Sequence, residues 1–193
     1  MFIFPLLQLN LIPLKKMSII MIILILFPIL CALAILHSTI KHGISPMPSS
    51  HKVQPVILRL LKKYNSGKII YDLGSGWGNL VLAISNANPK YRIIGIEHSF
   101  VPYLFSQLFR LISGDKRSWF RYKDFFTVDL KDADIVVCYL CTDLMTKLKM
   151  KFEQELKEGT VVISSTFAVP GWEPIEIVTV DDWYRSKIYV YKR

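Results

Sequence analysis

Residues Tyr71 to Asn79 read YDLGSGWGN, and this stretch decides the fold. It follows the apolar run Lys68 to Ile70 and leads into an apolar-periodic segment that starts at Leu80. A strand that ends in a glycine loop and opens a helix makes a ligand pocket. Gly74, Gly76 and Gly78 let the backbone turn sharply and come close to a ligand, and the helix N-terminus offers unpaired N–H groups. Asp72, two residues before the first glycine, is poorly placed for a pyrophosphate. It suits a ligand with positive charge, such as the amino group and sulfonium of S-adenosylmethionine. Asn79 stands where a dinucleotide fingerprint has its last glycine, which argues against a nicotinamide cofactor. The competing structural reading is a tight turn and nothing more.

The alternation around this loop extends over the rest of the chain. Strands are expected at Lys68 to Tyr71, Tyr91 to Ile96, Ser118 to Tyr122, Ile135 to Leu140 and Thr160 to Ser165. Helices are expected at Leu80 to Asn86, Phe100 to Ile112 and Asp143 to Leu156. Within Phe100 to Ile112, Leu104, Phe105, Leu108 and Ile112 fall on one side. Strands alternating with helices, Ile135 to Leu140 being fully apolar, imply a parallel sheet covered on both faces. The end differs: Ile175 to Val180 and Tyr184 to Tyr191 flank Asp181 and Asp182 as an antiparallel hairpin. The expected fold is therefore α/β, a Rossmann-like seven-stranded sheet, mostly parallel with a C-terminal antiparallel hairpin and helices on both faces.

Upstream, Met17 to Leu36 holds 20 residues without a charge, enough helix to cross roughly 30 Å of hydrocarbon. We read one transmembrane helix over 17–40, with Pro28 as a possible kink. A signal peptide is the rival, since Ala32 to Ala34 resembles a cleavage site, but the run is long for one. Residues 1–16 are apolar too, and Pro5 and Pro13 suit an interfacial segment better than a second span. Residues 41–50 form a linker carrying Pro46 and Pro48, and the domain occupies 51–193, opening with an amphipathic helix from His51 to Tyr64.

The 193-residue chain has a formal charge of +9. Only Lys15, Lys16 and Lys41 lie before Gly43, from where 21 basic and 15 acidic residues leave +6. The excess suits an anionic membrane surface, nucleic acid or an acidic partner, or is simply a solvated basic face. Lys41, Lys52, Arg59, Lys62 and Lys63 outnumber Lys15 and Lys16 across the span. That favours a single-pass membrane protein whose catalytic domain faces the cytoplasm, or the equivalent mitochondrial matrix side. Three cysteines form no disulfide framework and fit a reducing compartment.

Further acids and rings gather at strand ends. Glu97 closes the second strand, where a carboxylate can accept two ribose hydroxyls; a plain surface acid is the alternative. His98 suits a hydrogen-bonding or adenine-edge residue. Asp124 and Phe125 follow the third strand, as an acid for an adenine amino group and a ring against the purine. The fourth strand ends in CYLCTD, where Tyr139 can meet donor or acceptor and Thr142 and Asp143 read as helix N-cap and first turn. The expected donor site thus comprises Tyr71, Asp72, Gly74, Gly76, Gly78, Glu97, His98, Asp124, Phe125 and Tyr139. Tyr139, Asp143, Phe167 and Trp172 are candidates to position an acceptor, because an amine must arrive deprotonated behind a wall that excludes water. Cys138 and Cys141 form a C-x-x-C without the second pair that a zinc site needs, so no metal is expected. Asp129, Asp132 and Asp134 read as loop carboxylates.

With these residues in place, the chain resembles the membrane-tethered protein lysine methyltransferases whose mitochondrial members modify the adenine nucleotide translocase and the ATP synthase c subunit. The likeness runs from about Pro48 to Trp172. It includes YDLGSG, Glu97, SWFRYKDFFTVDL, DIVVCYLCTDLMTKLKMKFEQELKEGT and TFAVPGW. It departs at Trp77 and Asn79, where an acid and an arginine are common, and at Thr166, which replaces an arginine. The resemblance implies a seven-strand fold, S-adenosylmethionine as donor and transfer to a lysine of a protein at or in a membrane, with nucleic acid not expected as a partner. A lipid, quinone or other small acceptor, or a non-catalytic membrane-anchored binding module, are the alternatives.

Overall fold

The structure is a computed structural model that describes residues 19–42, 51–64 and 69–193. The apolar segment 1–16, Met17 and Ser18 of the expected span, the linker residues 43–50 and the helix stop at Asn65 and Gly67 lie outside the described residues. The described residues fall into two units, divided within the first helix after Leu33.

Helix α1, Ile19–His42, contains Pro28 and carries exposed apolar side chains through Leu36. Among the described residues it is the one helix long and apolar enough to cross a membrane, by length and composition.

The domain opens with α2, Val53–Lys63, which buries Val53, Ile57, Leu60 and Leu61 at helical spacing and has Pro55 in its first turn. Then come β1 (Ile69–Leu73), α3 (Asn79–Ala87), β2 (Arg92–Glu97), α4 (Phe100–Ser113), β3 (Ser118–Tyr122), a 3-10 turn at Phe125–Thr127, β4 (Ile135–Cys138), α5 (Thr142–Glu155), β5 (Val161–Ser165), β6 (Glu176–Thr179) and β7 (Lys187–Lys192). The seven strands form one sheet in the order β3-β2-β1-β4-β5-β7-β6. The first five run parallel, and β7 inserts antiparallel between β5 and β6.

Two apolar layers cover the sheet because neighbouring strand residues point to opposite faces. Ile70 joins the layer made with α2 and α3, whereas Tyr71 and Leu73 join the layer made with α5. α5 supplies Met145, Leu148 and Phe152, all fully buried. Strands β1, β4 and β5 are buried almost throughout because both faces are covered.

The expected architecture is observed, with two local corrections and one refinement. The terminal hairpin has a wider turn than expected: Val180 N–H donates to Ser186 O at 2.8 Å, Ser186 N–H donates to Asp182 Oδ1 at 2.8 Å, and Arg185 is left-handed at φ 49°. Tyr184 therefore belongs to the turn. At the start of α5 the cap is Cys141, so Thr142 is already helical. In α4, Leu104, Leu108 and Ile112 do not face the core; Val101, Pro102 and Ser106 are buried in their place.

Candidate active site

The parallel strands point their carboxyl ends at one edge of the sheet, where open α/β folds place ligands. At that edge β1 runs into three left-handed glycines, Gly74 at φ 77°, Gly76 at φ 52° and Gly78 at φ 81°. Gly74 and Ser75 donate their N–H groups to Ile96 O at 2.9 and 3.0 Å, which ties the loop to the end of β2. A Cβ at Gly78 would lie 2.6 Å from Phe120 Cζ and 2.8 Å from Ser106 Cβ, so only glycine fits there. A Cβ at Gly76 would meet nothing within 4 Å. This turn keeps open space beside its backbone, and that space is what a ligand needs.

Asp72 and Glu97 flank this loop, 5% and 7% exposed. Glu97 Oε2 accepts the Gly76 N–H at 2.7 Å, and Oε1 accepts the Ser99 N–H at 2.6 Å. A carboxylate has about four acceptor positions, so Glu97 retains capacity for hydroxyl donors. Asp72 has no ion-pair partner among the described residues. Burial, and then the negative charge of Glu97, push its carboxyl up to about 7. Two buried acids beside an open glycine turn favour a ligand that brings positive charge and hydroxyl groups, which fits the sulfonium, amino group and ribose of S-adenosylmethionine.

The remaining expected donor residues divide. Lys123 N–H donates to Glu97 O at 3.1 Å, which brings the end of β3 beside that of β2. His98 lies there with its ring centroid 6.2 Å from that of Tyr122. Asp124 caps the 3-10 turn by accepting from Phe126 N–H at 2.9 Å, and the Phe125 ring is buried in the α5 layer. Tyr71 points to the face of β1 opposite Asp72. Its hydroxyl donates to Asp132 Oδ1 at 2.9 Å, in the loop that enters β4, and its ring lines a cleft of about 330 Å³ with Arg121, Lys123 and Asp132. The structure does not bring Tyr71 to the glycine loop. Asp134, as a loop carboxylate, accepts from Ile69 N–H and Lys157 Nζ.

Of the acceptor candidates, Tyr139 follows β4 and Phe167 follows β5 at this same edge. Their rings stack with centroids 6.3 Å apart and planes 24° apart. The left-handed Thr166, φ 69°, donates its N–H to Lys187 O at 2.7 Å and turns the chain into Phe167. Asp143 is exposed in the first turn of α5. Trp172 is elsewhere: its Nε1–H donates to Glu153 Oε1 at 3.1 Å and its ring packs against Phe152 and Tyr191. Cys138 is a core residue whose thiol burial pushes up to about 12. Trp77 meets Phe105 of α4 edge-on at 5.3 Å.

Sequence reasoning passed over Gly95 in β2. A Cβ there would lie 2.8 Å from Ser75 Oγ and 2.8 Å from Phe120 Cδ1, so its absence makes room for Ser75 of the loop. A lone glycine inside an apolar strand is the signal that could have found it.

The strand order, the left-handed glycine loop and the paired acids define a class I methyltransferase. Residues 72–176 match the family described as the ANTKMT methyltransferase domain. The chain belongs to this family. It is 31% identical over 144 residues to a protein-lysine N-methyltransferase of Saccharolobus islandicus, covering 72% of this chain and 88% of that one. It is 32% identical over 125 residues to the adenine nucleotide translocase lysine N-methyltransferase of Mus musculus; here 63% of this chain matches about half, 52%, of the mouse protein. Among solved structures, an RNA methyltransferase from Salinibacter ruber in complex with S-adenosyl-L-homocysteine superposes with a TM-score of 0.67 at 27% identity, covering 76% of this chain and 93% of that one.

Proposed function

We propose that this chain is a membrane-anchored methyltransferase that moves the methyl group of S-adenosylmethionine to the side-chain amine of a lysine in a membrane-associated protein. The observation that carries the donor half is the buried pair of Asp72 and Glu97 around the open turn at Gly76. The acceptor half rests on the family and on the named activity of the Saccharolobus and mouse relatives.

When bound, S-adenosylmethionine supplies a methyl group already activated on a sulfonium. The chain's task is then alignment, from which most of the rate enhancement comes. Asp72, once ionised, faces the donor's positive groups, and the remaining acceptor positions of Glu97 face its hydroxyls. His98 and Asp124 flank the adenine end. Tyr139 and Phe167 form an aromatic wall that excludes water, which favours the neutral form of an arriving amine and guides a cationic side chain. Asp143, exposed at the same edge, attracts the lysine ammonium before its proton passes to solvent. Tyr71 and Trp172 pack in the α5 layer and take no direct part in the site.

Helix α1 is read as the membrane anchor, and the basic residues that follow it support a domain on the cytoplasmic side or its matrix equivalent. The test combines the full chain with methyl-labelled S-adenosylmethionine and membranes from a strain lacking the gene. Label recovered as methyl-lysine after protein hydrolysis is the expected result. Label confined to the organic extract or to RNA would overturn the acceptor assignment.

A further inference from the structure

The outer side of α4 is built unlike the surface of a domain surrounded by water. Phe100, Leu104, Leu108, Leu111 and Ile112 recur every three or four residues, so they share one stripe of the helix. All five are exposed, Leu111 at 79% and Ile112 at 73%. Phe105 and Phe109 continue the apolar surface at its side, with their rings 6.1 Å apart. Contiguous exposed apolar area on this scale marks an interaction surface.

The charges around the stripe select the occupant. From Phe100 to Trp119 the chain has three basic residues, Arg110, Lys116 and Arg117, and one acid. That acid, Asp115, is buried and engaged: its Oδ1 accepts from Ser85 Oγ at 2.7 Å and from Arg117 N–H at 3.0 Å. An apolar helical stripe with Phe and Leu, edged by basic residues and without an exposed acid, is complementary to a bilayer with anionic headgroups. Residues 43–52 separate the end of α1 from the start of α2, and such a tether spans at most about 35 Å. The bilayer interface, with acyl chains directly beneath its headgroups, is therefore the apolar partner nearest to hand. The stripe starts at Phe100, next to Ser99, whose N–H is held by Glu97 of the donor site.

We propose that α4 lies in the plane of an anionic bilayer interface and docks the domain there, so that the active edge meets acceptors at the membrane surface. This inference rests on the membrane-anchored reading given above.

The test reconstitutes the full chain in vesicles containing a photoreactive diazirine lipid and maps lipid adducts by mass spectrometry. Adducts are expected both on α1 and on peptides covering residues 100–112. The second set should rise when phosphatidylglycerol is added to phosphatidylcholine while the first stays constant. Leu108→Asp with Leu111→Asp should leave the chain folded, with a melting temperature lowered by no more than several degrees, and reduce adducts on α4 by about tenfold or more. Adducts on α1 but none on residues 100–112 would overturn the docking role and leave the anchor intact. No adducts on either would overturn the anchor itself. In a parallel sample carrying photoreactive leucine, crosslinks joining α4 to α1 or to a second copy, in place of lipid adducts, would likewise overturn the proposal.

Discussion

The Gly76 N–H donates to Glu97 Oε2 at 2.7 Å, so one carboxylate fixes the shape of the glycine turn while its charge raises the proton affinity of Asp72. Glu97→Gln keeps an acceptor for Gly76 but removes the charge. Hydrogen bonds to charged groups contribute about 1.5–3 kcal/mol, so donor affinity is expected to fall by about tenfold or more. The Asp72 carboxyl should move back toward the ordinary range at the same time. Calorimetric titration of the variant at several pH values measures both effects.

The glycines separate space from backbone strain. Gly78→Ala must hold a left-handed φ and also place its Cβ 2.6 Å from Phe120, so it should destabilise the fold by about 3 kcal/mol or more. Gly76→Ala carries the backbone strain alone, about 1–2 kcal/mol, but fills the open side of the turn. Thermal melts should rank Gly78→Ala as the more damaging to stability. Donor titration should show Gly76→Ala binding weakly even where it is folded.

Tyr139 and Trp172 make a contrasting pair. Tyr139→Ala removes the ring stacked on Phe167 at the sheet edge and is expected to raise the KM for the acceptor with little change in melting temperature. Trp172→Ala strips contacts with Phe152 and Tyr191 and the bond to Glu153, so it should cost about 3 kcal/mol of stability and leave the acceptor KM of the folded fraction near normal. Steady-state kinetics combined with a melt of each variant decides between the two roles.

Much of this arrangement was legible in the sequence because local patterns and the global fold agree. The five parallel strands, the glycine loop and the acid at the end of β2 all follow from periodicity and spacing. What sequence did not give depends on the partner across space. Tyr71 sits beside Asp72 in the chain, yet strand alternation sends it to the other face, toward Asp132. Trp172 finds Glu153 on the last turn of α5, a pairing that no spacing announces. The apolar side of α4 does not by itself say where it faces, because periodicity reports that a helix has two sides, not which one the sheet covers. Pro102 and Ser106, small enough to pack close to β2 and β3, take the inward side.

Asp72 gives the account its clearest pH signature. Its folded-state pKa of about 7 lies above that of an unfolded aspartate, so the folded state binds the proton more tightly. Its contribution to stability is therefore full below about pH 4 and is lost as pH rises through about 7. Donor binding has the opposite slope, since a cationic ligand needs the ionised carboxylate. In the absence of donor, Asp72→Asn should flatten the fall in melting temperature between pH 5 and 8.

The central claim, that the glycine loop and its acidic pair hold a cationic methyl donor, is tested most directly by titrating the full chain with S-adenosylmethionine at pH 6 and pH 8, as wild type and as Asp72→Asn. The wild type should bind about tenfold more tightly at pH 8 and release a proton on binding at pH 6. Asp72→Asn should bind weakly at both values without that proton. A folded wild-type chain that binds no donor, or an Asp72→Asn variant that matches it at pH 8, would contradict the account.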